Sequence, residues 1–357
     1  MTARFVLALA LRSLAQTPQL PQPPYSAAMC VRVDSLRHEV IITAGPFRVP
    51  AQQHVHAAMR DVGATAAGPE EIFVQRFAWP ATVWVHGYRL RLFDARGRPA
   101  ERRWIHHLYL IDFDRRELVY PIAQRVLGLG GETPDFTLRS KAGILLPAGH
   151  NLGLYVMWHN DTGVDLDGVR LELAFRWVEP EPGASLLTVF PFFVDAHPVL
   201  GADWTFTIPP GGGGASYEFA LPVSGRLRAV GGHLHDHGVA LRLEDAATDE
   251  AIVTIRAQRD SVGRLLGMPY RVLAVGDSGP HLVAGRRYRL VATYDNPTPD
   301  PLPAMMGTLA GLFAPDDPLR WPPIDPRDPS FVQDQALLTT SHPGGGPVAL
   351  PCPRSER

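Results

Sequence analysis

The chain has 357 residues, with 34 basic and 36 acidic side chains and a formal net charge of −2. That length suits about two ordinary domains, and an apolar content of 45% supports sizeable cores and excludes a disordered chain. The balanced charge argues against a nucleic-acid partner, which calls for a basic excess, and no apolar run approaches the ~18 residues of a transmembrane segment.

The N-terminal run Phe5–Leu11 follows Arg4 and has the look of a signal peptide, although Arg12 cuts it short and no small-x-small cleavage site follows. Residues 13–35 are rich in Pro and Gln, so 1–37 reads as a leader or linker. Lys141 is the only lysine among the basic residues, which reads as the mark of a GC-rich, bacterial genome. Two cysteines, Cys30 and Cys352, exclude a zinc ribbon and a disulfide-dense scaffold.

Residues 54–62 suggest a short helix. From about residue 70 the sequence reads as strands: Ile72–Phe77, Thr82–Phe93, Ile105–Phe113, Gly153–His159 and Val169–Val178. The last alternates almost strictly, with Val169, Leu171, Leu173, Phe175 and Trp177 on one face and Arg170, Glu172 and Arg176 on the other. Residues 179–186 form a Pro-rich hinge, and Pro209–Gly214 a long turn. A second set of strands follows: Tyr217–Val223, Arg226–His235, Val239–Glu244, Ala251–Ala257, Tyr270–Val275, Arg287–Tyr294 and Met306–Phe313. This spacing is that of a sandwich or jelly roll. The expected fold is all-β, with one unit over 38–180, a second over 185–315, and an irregular Pro-rich tail over 316–357.

Fourteen histidines are unevenly placed. His233 and His235 lie two apart on an expected strand, so both imidazoles leave one face and can chelate one metal. Imidazole suits copper, zinc, iron and nickel. His237 follows in an Asp-His-Gly turn and is expected at the surface or behind the ligands. His106 and His107 are adjacent, and a regular strand sends them to opposite faces, so both reach one metal only if the strand bulges or ends there. His159 stands alone at a strand end. The bland alternative for each is a core or surface histidine. A cupin reading fails because no Glu follows His233-x-His235 at the cupin distance. HExxH, GxSxG, P-loop and CxxC motifs are absent.

In order and β context, His106-His107, then His159, then His233-x-His235 resemble the copper type II, ascorbate-dependent monooxygenases, the family of peptidylglycine alpha-hydroxylating monooxygenase and dopamine beta-hydroxylase. The segments Ala292–Asn296 and Ala304–Gly307 resemble the family's methionine-ligand region. The resemblance spans roughly residues 38–315 and implies two tandem jelly-roll β-sandwich domains, each holding one copper across an open cleft. His106, His107 and His159 would hold the first ion. His233, His235 and Met306 would hold the second, with Met305 as the alternative thioether, a soft ligand suited to Cu(I). The implied activity is hydroxylation of an activated C–H bond with dioxygen and an ascorbate-like one-electron reductant, on a small-molecule or peptide substrate. Such chemistry belongs outside the cytoplasm, so an extracytoplasmic or secreted protein is expected. Two departures stand out. The peptide-hydroxylating branch has an Arg two residues before its His-x-His, where this chain has Gly231. His86, His150 and His237 match no family role, and His86 is expected to face the core or cleft. The competing expectations are copper storage, delivery or sensing without turnover, and a metal-free structural sandwich with its histidine clusters far apart.

Overall fold

The computed structural model describes residues 28–51, 73–138, 141–180, 183, 185–200, 204–273 and 279–340. The expected helix over 54–62 lies outside them. The architecture is all-β, and a single α-helix occurs among the described residues. No helix among them is long and apolar enough to cross a membrane.

Four larger sheets make two face-to-face pairs. In the first pair, one sheet runs in the order Ala28–Asp34, Glu39–Val49, Leu166–Val178, Val83–Phe93, Ala142–Leu146, Leu187–Thr188, with Phe136–Thr137 added beside Val83–Phe93. Its partner runs Phe73–Ala78, Asn151–Trp158, Ile105–Arg116, Ala123–Leu129. The alternation read for Leu166–Val178 decides which face turns inward: Val169, Leu171, Leu173 and Phe175 are buried while Arg170 is exposed. They meet Leu108, Leu154 and Val156 of the facing sheet in one apolar core, and burial of such side chains contributes roughly 1.5–3 kcal/mol each.

The second pair repeats the plan. A sheet of Phe190–Asp195, Gly307–Pro315, Gly225–Leu234 and Arg271–Val272, with His281–Leu282 added, faces a sheet of Gly213–Ala220, Arg287–Tyr294, Gly238–Asp245 and Ala251–Arg256. Phe192, Leu227, Leu241, Leu290 and Phe313 fill the core between them.

The pairs also share a corner motif. Asn160 stands two residues past the central strand Asn151–Trp158 and donates from Nδ2 to the carbonyls of Val49, Pro50 and Val164 at 2.9, 3.0 and 2.8 Å. Asn296 stands two residues past Arg287–Tyr294 and donates likewise to Ile208, Pro209 and Asp300 at 3.3, 3.1 and 2.8 Å. Thr162 and Thr298 each donate to the same asparagine's Oδ1 at 2.7 Å. Phe47 packs on Trp158 and Phe206 on Tyr294 at the same place in the two corners.

Two expectations are corrected. The leader expected over 1–37 does not hold for residues 28–34, because Ala28–Asp34 is a strand paired with Glu39–Val49, and Met29 is buried. Composition conceals it because the Pro- and Gln-rich stretch 13–35 runs over it. Cys30 on that strand is disulfide-bonded. The tail is not irregular throughout, because Pro329–Thr340 is an α-helix. Asp328 Oδ1 caps it by accepting from the Ser330 and Phe331 amides, and Pro329 opens the first turn. The helix docks on the first unit, where Asp334 Oδ2 accepts from the Ala123 amide at 3.1 Å.

Candidate metal centre

Four of the predicted histidines meet where the two sheet pairs abut. Their rings form a closed circuit, with centroids 4.2 Å apart for His106–His107, 4.6 Å for His107–His233, 4.9 Å for His233–His235 and 5.1 Å for His235–His106. Ligand nitrogens of His106, His107 and His235 lie within 4.8 Å of one another. Two imidazole nitrogens on one ion sit up to about 4.2 Å apart, so small side-chain rotations close the set.

Each pair arrives by a distinct local device. Ile105–Arg116 pairs with Asn151–Trp158 such that Ile105 opposes Trp158 while His107 opposes Met157. His106 is therefore an extra residue, a bulge that turns two adjacent side chains to one place. His233 occupies the penultimate position of Gly225–Leu234, opposite Thr308, and His235 follows the strand's last residue. The chain then turns sharply, with the Gly238 amide donating to the His235 carbonyl at 3.0 Å and His237 at φ 69°.

The outer nitrogens are engaged in ways that prepare the inner ones. His233 Nδ1 lies 2.7 Å from Glu132 Oε1. His235 Nδ1 lies 2.9 Å from the Ala304 carbonyl oxygen. A carbonyl only accepts, so Nδ1 of His235 is the donor, and in the neutral ring Nε2 keeps its lone pair. Ala304 holds that carbonyl in place from a left-handed backbone, φ 58°, a conformation that costs a non-glycine residue of order 1 kcal/mol or more. The Tyr294 hydroxyl accepts from the His235 amide at 2.9 Å and donates to the Met306 carbonyl. His233 Nε2 is buried and makes no hydrogen bond. Imidazoles that are fixed from behind and aimed inward are what a transition-metal site needs. The four residues therefore fit an ion of the copper, zinc, iron or nickel class.

The other predicted residues sit elsewhere. The His159 ring is 6.2 Å from that of His106, at the margin of the cluster, and the His159 amide donates to the Trp104 carbonyl at 2.8 Å. Met305 packs on the second core. Met306 is buried, and its carbonyl takes the Tyr294 hydroxyl. His237 lies in the turn beyond the cluster, its ring against Gly263. His86 Nδ1 lies 3.1 Å from the Leu138 carbonyl oxygen. The division into two sites facing each other across a cleft is thus not how the rings are arranged, since His106 and His107 lie against His235 and His233. Sequence reasoning missed Glu132, Tyr294 and Ala304. Glu132 sits in an ordinary Gly-Gly-Glu-Thr-Pro turn, and the other two act through a hydroxyl and a carbonyl that no spacing rule marks.

A second group, Asp112, Asp114 and His150, also brings ligand atoms within 4.8 Å. Its members are already used: Asp112 Oδ2 pairs with His150 Nδ1 at 3.0 Å, and Asp114 Oδ2 accepts from the Asn151 amide at 2.7 Å. It ties the end of Ile105–Arg116 to the start of Asn151–Trp158.

No family model matches the chain, and no curated protein matches it. Among solved structures, it is similar to PNGase F, a glycosylasparaginase from Flavobacterium meningosepticum, at 11% identity and a TM-score of 0.39, over 76% of this chain and 95% of that one. It is also similar to PNGF-II at 12% identity and a TM-score of 0.38, over 77% and 66%. A third is the STIV MCP at 10% identity and a TM-score of 0.33, over 68% and 97%. Scores this low carry no functional argument.

Proposed function

We propose that the chain is a copper protein built from two tandem jelly-roll units, and that its activity is copper-dependent hydroxylation of a C–H bond with dioxygen and a one-electron reductant. The observation that supports this reading is the closed circuit of four imidazoles, two from each unit, with the outer nitrogens of His233 and His235 held by Glu132 and Ala304. The donor set alone fits several metals; copper is chosen because the order of the motifs resembles the copper monooxygenases. The bound ion would supply one-electron exchange and dioxygen chemistry. His106, His107 and His235 would hold it, with His233 completing the set. Glu132 and the Ala304 carbonyl orient the rings. The burial of His107 and His235, 2% and 7% exposed, excludes bulk water.

The same enclosure favours a second reading, copper storage or delivery without turnover. The test is metal content after copper loading, followed by dioxygen uptake with ascorbate. One copper per chain that is lost in both His106→Ala and His235→Ala supports a single shared centre. Two coppers, each lost in only one variant, would restore the separated sites that the family resemblance implies. Bound copper without dioxygen uptake would favour storage. No bound copper would sink both readings.

A further inference from the structure

We propose that the cavity between the two β units, beside the histidine cluster, is a binding site for an uncharged, ring-sized apolar molecule carrying one hydrogen-bond donor. The cavity measures about 110 Å³. A cavity of about 150 Å³ lined by Leu, Ile and Phe holds benzene, so this smaller space takes one ring at most. Val85, Val126, Phe136 and Phe175 line it from the first unit, and Met268 and Tyr270 from the second. No Asp, Glu, Lys or Arg lines it among the described residues, and a charge placed there would lose its hydration with no counter-ion to replace it.

The floor is cut from small residues. Ala229 and Gly231 of Gly225–Leu234 lie beside Leu312 and Ala310 of Gly307–Pro315 and border the space. A Cβ on Gly231 would stand 3.1 Å from Tyr270 Cβ, a tight contact, so a side chain there requires Tyr270 to give by a few tenths of an ångström. The cavity therefore selects against a carboxylate by lack of a counter-charge in its described lining.

Among the described residues, the imidazole in the lining is His86. Its Nδ1 faces the Leu138 carbonyl at 3.1 Å, and because a carbonyl only accepts, Nδ1 is the donor there, which in the neutral ring leaves Nε2 as an acceptor. A hydroxyl or N–H on the ligand is the complement. The cavity adjoins the cluster: Gly232 and Thr133 line it, and the next residue along from Gly232 is His233, which Glu132, the neighbour of Thr133, engages. That the bound molecule is also the one oxidised rests on the function proposed above; its binding does not.

The probe is phenol, titrated by calorimetry into the full chain after chelation, with toluene, benzoate and benzylammonium as comparisons. Phenol is expected to bind, the two ions at least about tenfold more weakly, and toluene several-fold more weakly. His86→Phe should abolish the preference for phenol over toluene. Ala310→Leu should fill the floor and weaken phenol about tenfold or more. Phe136→Ala should enlarge the space and admit 2-naphthol, a gain that misfolding cannot mimic. No phenol binding, equal binding of benzoate, or no new 2-naphthol binding in Phe136→Ala would overturn the assignment. Copper uptake is measured on the same samples. Phenol binding without copper uptake would sink the metal centre and keep the cavity, and copper uptake without phenol binding would do the reverse.

Discussion

Glu132 and His233 belong to different β units, and the carboxylate of the first receives the Nδ1 proton of the second across 2.7 Å. The contact is enclosed, with both side chains about one-tenth exposed. It ties the orientation of one proposed metal ligand to the docking of the units. Outer carboxylates of this kind typically change metal affinity by about 10–100-fold when removed. Glu132→Gln keeps the shape but offers an amide in place of a carboxylate, and Glu132→Ala removes the partner altogether. Copper affinity by competitive chelation should fall in both, more in Glu132→Ala, with the unfolding midpoint of the metal-free protein little changed in Glu132→Gln. Unchanged affinity in both variants would mean that His233 is not a ligand.

His106 comes from the first unit and His235 from the second, with ring centroids 5.1 Å apart. Residues that share one ion do not act additively. His106→Ala and His235→Ala should each remove most of the copper affinity, and the double variant should lose little more. Two separate sites would give losses that add, each accompanied by its own spectral change in copper-loaded protein. The double-mutant comparison thus separates one centre from two even if the second ion binds too weakly to count.

Tyr294 holds two backbone groups at once, accepting from the His235 amide and donating to the Met306 carbonyl. The hydroxyl is buried with its ring. Tyr294→Phe leaves a buried N–H and a buried C=O without that partner, a loss of about 1–3 kcal/mol for each unsatisfied group. We expect a lower unfolding midpoint and weaker copper binding, because the His235 backbone loses its anchor. A variant as stable as the parent and with full affinity would show that the turn after Leu234 holds His235 without help.

Much of the fold could be read from local pattern. The Val169–Val178 alternation and the need for a bulge at His106-His107 each follow from a period of two and a few neighbours. The Arg287–Tyr294 strand was bounded to the residue for the same reason. What escaped reading depends on pairings between distant segments. The corners built by Asn160 and Asn296 reach back 111 and 88 residues to Val49 and Ile208, so the likeness between them leaves no fixed period. The helix at Pro329–Thr340 was legible in its Asp328-Pro329 start, yet the surrounding Pro-rich composition outweighed that signal. Glu132 shows the limit for the site: a carboxylate in a turn gains meaning only when another unit brings an imidazole to it.

Arg125 is the buried charge at the junction of the units. It donates from Nη2 to Glu117 Oε2 at 3.0 Å and to Asp195 Oδ2 at 2.8 Å, and Thr308 Oγ1 donates to Asp195 Oδ1 at 2.6 Å. One guanidinium faces two carboxylates. Burial pushes the Glu117 carboxyl up to about 7, against the pull of Arg125. The folded protein then keeps a proton that the unfolded chain releases near the ordinary value of 4.5. Stability from this group is therefore complete below about pH 4.5 and declines as pH rises to about 7, by on the order of 3 kcal/mol. Glu117→Gln should remove that decline while keeping one of the two acceptor oxygens that Arg125 uses, so urea unfolding of parent and variant should diverge as pH climbs through this window. Arg125→Met, which strands both carboxylates, should cost about 3–5 kcal/mol at neutral pH. If the parent instead gains stability relative to Glu117→Gln as pH rises, Glu117 is ionised throughout, and the junction is held by a fully charged cluster.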